Sequence, residues 1–185
     1  MSEDGKNIMA MIKQMGTLFD NVQKLLMTID DKMNEKNWEA LNNTVMSERS
    51  GSIQNPQKWL PDVLFRHYKN NDYKNLLVFI SILLNDDQFG EYTISEPYLS
   101  IGFFDYVNEV DVPEYWHARW FGYFIKKVED NKIIDSYPGW EKDRKAKYPF
   151  KHWKCFGLPL TDITNDKDIE QKIINPLLSI LPTKK

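Results

Sequence analysis

The sequence holds a single cysteine, Cys155, so no disulfide can form within the chain. Glycine is scarce as well. Its eight residues never cluster, which leaves no Gly-rich loop of either common type to cradle a nucleotide phosphate. Arginine is rarer still, with four residues against twenty lysines, and together with a net charge of -3 this weighs against a dedicated nucleic-acid binder. No apolar run approaches the roughly 20 residues needed to cross a bilayer; the longest is Leu76 to Leu84. The three histidines, His67, His117 and His152, stand in separate segments without paired His or Cys spacing, so no metal or cofactor is expected. There is no serine elbow and no kinase-like set. His152 would point to the opposite face of a strand from Cys155, which therefore reads as a small buried apolar residue. No catalytic residue is assigned, and the balance leans away from an enzyme. The chain opens on Ser2, Glu3 and Asp4, not on a basic region followed by an apolar run, and this leads us to expect a cytoplasmic protein with no membrane association.

What is present is ample core material: 42% apolar residues and 14% aromatics are far too many for a disordered chain. At 185 residues one sizeable core fits, whereas two self-sufficient domains would each be marginal. The expected organisation is a helical N-terminal unit over residues 1–46 and an α+β unit over 57–185, both able to share one core. The run from Ser47 to Pro56, rich in Ser with Gly51 and Asn55, joins them.

The clearest periodicity lies at the start. Ile8, Ile12, Met15, Phe19, Val22, Leu26, Ile29 and Met33 alternate four and three apart, which is a heptad seam. Met11, Leu18 and Leu25 run beside it, making a stripe three positions wide in every seven, broader than a two-stranded coiled coil wants. The spacing predicts a long helix packed on its own domain or associating with a protein partner or a second copy, with Ile12, Phe19, Leu26 and Met33 as interface residues. A second helix is expected to begin at Asn37 as N-cap and to carry Trp38, Leu41 and Val45, so that the two form an αα-hairpin. Leu60, Val63, Leu64 and Tyr68 predict a third, shorter helix over 59–68, in which Asp62 would lie one turn before Arg66.

Strands follow. Leu76 to Leu84 is apolar on both alternating faces and rich in β-branched residues, as a central strand covered on both sides would be. Tyr98 to Val107 and Tyr115 to Ile125 complete a meander, and His152 to Leu160 can add a fourth strand whose Pro159 suits an edge or a terminus. Mid-strand glycines such as Gly102 read as gaps covered by aromatic rings from neighbouring strands. From Asp166 onward an amphipathic helix, capped by Asn165 and perturbed by Pro176, covers the sheet. The fold class is therefore α+β: an N-terminal αα-hairpin plus third helix, an antiparallel meander of three to four strands, and a C-terminal covering helix.

Charge is unevenly spread. Residues 85–114 hold eight acids and no Lys or Arg, whereas 139–154 hold six bases against two acids. The basic stretch interleaves Lys142, Arg144, Lys145 and Lys147 with Trp140, a mixture suited to phosphates and stacked bases and the sole pointer to nucleic acid. Arg119, embedded in an aromatic strand, needs a fixed carboxylate or a ligand, and Asp105 is its natural partner. A ligand cleft around His117, Arg119, Asp105 and Tyr123 is thus one expectation, either as a binding site or as a small enzyme's. The leading expectation is a non-enzymatic binding or regulatory protein working through the long helix and the polar-aromatic face of its sheet.

Overall fold

The computed structural model describes residues 2–41, 43, 45, 53–54, 61, 63–84, 96–107, 109, 132–135 and 150–183. It opens with α1, Glu3–Asn34, whose N-cap Ser2 accepts the Gly5 N–H at 3.1 Å while Glu3 and Asp4 complement the positive helix end. Six strands follow: β1 Glu39–Ala40, β2 Val63–Lys69, β3 Leu76–Leu83, β4 Tyr98–Tyr106, β5 Ile134–Asp135 and β6 Phe150–Pro159. They form one antiparallel sheet in the order β1-β2-β3-β4-β6-β5. The chain closes on a helix over 166–180, here α2. The fold is α+β, with a long N-terminal helix, an antiparallel sheet and a C-terminal helix.

Two parts of the expected helical layer are replaced. Asn37 does not start a second helix; it ends the first. Its φ of 63° is the left-handed conformation that Asn tolerates, and the chain closes with Trp38 N–H on Met33 O and Asn37 N–H on Asn34 O, both at 2.9 Å. Asn is at home at either helix end, and here the buried contact of Trp38 with the core decides for the C-terminal role. The expected αα-hairpin is therefore absent among the described residues. Glu39 and Ala40 instead pair with Lys69 and Tyr68 at the sheet's edge.

The expected third helix is β2. A segment buried on both faces shows no clean period, so Leu64, Arg66 and Tyr68 on one face and Val63 and Phe65 on the other could be misread as helical spacing. β3 and β4 fall where expected, and β3 is buried along its full length. The neighbour of β4 beyond β3 is β6, whose last residue is Pro159, and the six strands exceed the three or four anticipated. The expected strand Tyr115 to Ile125 lies outside the described residues.

The sheet has apolar residues on both faces. On the first, Leu64, Val78, Ile80, Ile101, Phe103, Phe156 and Leu158 meet Val22, Leu26, Ile29 and Met33 of α1 and Ile169, Ile173, Ile174 and Leu177 of α2. On the second, Phe65, Phe79, Phe104 and Trp153 are buried with Cys155. α2 is capped as expected, Asn165 Oδ1 accepting the Asp168 N–H at 3.1 Å. It passes through a π turn, Ile169–Ile174, immediately before Pro176, which sits in the first turn of the α-helical segment Asn175–Ile180, where its missing N–H costs least.

Candidate functional site

α1 has 32 residues and so is about 48 Å long. The longest strand has ten residues, about 33 Å. Only the second half of the helix, from Val22 to Met33, is buried against the sheet. Before Phe19 the same stripe continues and mostly faces solvent: Ile8 is 57% exposed, Met11 62%, Ile12 57% and Leu18 36%, while Met15 is half-buried. Phe19 is half-buried, at the point where the helix leaves the sheet.

About three turns further along, inside its buried half, α1 is pinned to β2 by a polar lock. Asp30 sits at the margin of the apolar stripe, and its Oδ1 accepts Nε of Arg66 at 3.1 Å and the Tyr68 hydroxyl at 2.8 Å, while Oδ2 accepts Nη2 of Arg66. The two-pronged geometry is the one a guanidinium makes with a carboxylate. Arg66 is buried, and burial alone would lower its pKa, but the hydrogen bond and charge of Asp30 outweigh it and hold the guanidinium above its ordinary value. Burial first, and then the negative charge of Asp30, push the Tyr68 hydroxyl far up, so it stays a neutral donor.

Beside this lock lies a cavity of about 310 Å³ between α1 and β2, walled by Phe19, Val22, Leu26 and Leu64. The charged residues on its lining, Asp30 and Arg66, are already bonded to each other. The hollow therefore suits an apolar side chain better than an anion. A second hollow, of about 400 Å³, lies among Asn34, Asn37, Asn70 and Asp72, but Asn37 closes α1 there and Asn70 Oδ1 already accepts the Asp72 N–H at 2.8 Å.

The structure places the expected site residues unevenly. His117, Arg119 and Tyr123 lie outside the described residues, as do Trp140, Lys142, Arg144, Lys145 and Lys147. Asp105, on β4, is ion-paired with Lys151 at 3.2 Å. Arg66 pairs with Asp30 across the helix–sheet interface; in a strand no residue lies one helical turn earlier, and Asp62 lies outside the described residues. Of the four interface residues, Leu26 and Met33 are spent in the core, Phe19 is half-buried and Ile12 is open. His152 Nε2 meets Asp135 Oδ1 at 2.6 Å, with Lys154 on the other oxygen at 3.0 Å. Burial pushes the Cys155 thiol up to about 12, so it is not a nucleophile. No group of three metal-ligating side chains occurs among the described residues, and no described helix is long and apolar enough to cross a membrane. Asp30 was the residue that sequence reasoning missed. Its signal was a carboxylate set one residue after Ile29 and three before Met33, at the margin of an otherwise apolar stripe.

Compared with protein-family models, with curated proteins and with solved structures, the chain has no match.

Proposed function

We propose that this chain is a non-enzymatic binding protein whose contact surface is the first half of α1, held out from the body by the second half. One observation carries the reading: a single stripe is core from Val22 onward and, apart from the half-buried Met15, exposed before Phe19. Fully burying a large apolar side chain is worth about 1.5–3 kcal/mol, so Ile8, Met11 and Ile12, each more than half exposed, leave roughly 1 kcal/mol apiece to be gained by contact. A helix of this length that buried nothing along its first half would also be marginal in water. The Asp30 to Arg66 lock supports the reading, because it fixes the direction in which the overhang points.

Deleting residues 1–17 tests this. If the overhang serves binding, the remaining body, measured dilute, melts within roughly 2 °C of the full chain. A large fall in melting temperature would make the segment part of the chain's own core and end the proposal.

A further inference from the structure

The exposed stripe is complementary to itself in reverse. With Ile8 and Met15 at heptad position d and Ile12 and Phe19 at position a, a second copy running antiparallel brings each a against a d. In the register centred between Lys13 and Gln14, Ile12 faces Met15 and Ile8 faces Phe19, and the same pairs recur by symmetry. The side positions agree as well, with Met11 lying beside Leu18 of the other copy. No charged residue occupies an a or d position anywhere along α1. Lys6, Lys13 and Asp20 lie on the opposite side of the helix, away from the stripe, and Asp4, seven residues before Met11, is the one charge on the stripe's flank before Phe19.

In this register the Ile8 of one copy comes over the half-buried Phe19 of the other, a wall of the 310 Å³ hollow, and the pairing ends there because Val22 is already buried in its own core. We infer that the first half of α1 pairs antiparallel with the same segment of a second copy, its Ile8 seating at the mouth of the partner's hollow. This rests on the binding role proposed above and names the partner. The overlap, from Ile8 to Phe19, is about 12 residues, roughly 18 Å of helix, which is at the small end of specific interfaces. A contact of that size makes a weak, reversible pairing.

Sedimentation velocity of the full chain, from low micromolar to hundreds of micromolar, reads the association, and cysteine pairs read its direction. The native Cys155 is fully buried and does not compete. The expected result is a monomer–dimer equilibrium that Ile12→Asp shifts to monomer without changing the melting temperature of the dilute protein. Ile12→Cys mixed with Met15→Cys then cross-links about tenfold faster than either alone, because proximity sets the effective concentration. Faster cross-linking of either variant with itself would overturn the antiparallel register. A wild-type chain that stays monomeric throughout would overturn self-pairing, and the deletion of residues 1–17 then tells whether the binding role survives it. A melting temperature that falls with Ile12→Asp in dilute solution would overturn both.

Discussion

The carboxylate of Asp30 on α1 receives Nε and Nη2 of Arg66 on β2, although 36 residues separate them in the chain. It is the one ion pair among the described residues that ties α1 to the sheet, and it stands within the buried half of the helix, between Ile29 and Met33. Removing one partner of a buried pair leaves the other charge stranded, so Arg66→Met is expected to cost about 3 kcal/mol, the low end of the usual range because the Asp30 side chain is 23% exposed. Adding Asp30→Leu should recover much of that loss, though not all, since the Tyr68 hydroxyl then lacks its acceptor. Chemical denaturation of the two variants checks this; a double mutant no more stable than the single would contradict the pairing.

Gly102 is required by its neighbours. A Cβ there would collide with the Lys154 carbonyl oxygen and stand 2.8 Å from the Phe79 ring, which lies over the gap from the adjacent strand. Because one obstacle is backbone, Gly102→Ala is expected to destabilise by about 1–3 kcal/mol. At Gly16, in the overhang, a Cβ would meet nothing within 4 Å, and Ala should raise helicity. Denaturation for the first and far-ultraviolet circular dichroism for the second separate the two cases.

Ser81 and Ser100 face each other across β3 and β4, fully buried, and neither hydroxyl has a hydrogen-bond partner in the protein. Deleting such a hydroxyl removes an uncompensated polar group, so Ser100→Ala should leave stability unchanged or raise it by up to about 1 kcal/mol. A measured loss larger than that would show that the hydroxyls do hold something.

Legibility followed the local rules. β3, β4 and the capped C-terminal helix could be read because β-branched alternation and the Asn165 cap are written within a few residues. β2 could not, since burial on both faces erases the period, and only the sheet's pairing tells it from a helix. Asn37 was misassigned because the same side chain favours either helix end, and the deciding contact, Trp38 against the core and stacked on Tyr73 at 5.6 Å, is tertiary. The heptad stripe was visible in full. Where it changes from core to open surface was not, because that depends on how far the helix outruns a sheet formed by residues distant in the chain.

Asp168 ties the start of α2. Its carboxylate accepts the Thr164 N–H at 3.0 Å and hydroxyl at 2.8 Å, and lies 3.0 Å from Lys172 Nζ. These bonds, the backbone one first, lower its pKa from 3.8 to about 2. A folded pKa below the unfolded one means that the contribution is complete above about pH 4 and is lost as pH falls toward 2. Asp168→Asn should therefore flatten the acid limb of a stability–pH curve in that window and leave the curve's shape at neutral pH unaltered; an unchanged acid limb would contradict the capping role.

Amide hydrogen exchange along α1 tests the central claim most directly. In dilute protein, amides from Val22 to Met33 should exchange only through global unfolding, whereas those from Ile8 to Leu18 should exchange orders of magnitude faster. Protection of the first half should then rise as protein concentration rises, while the second half stays unchanged. Uniform protection along the whole of α1, independent of concentration, would show that the first half belongs to the chain's own core and would contradict the account.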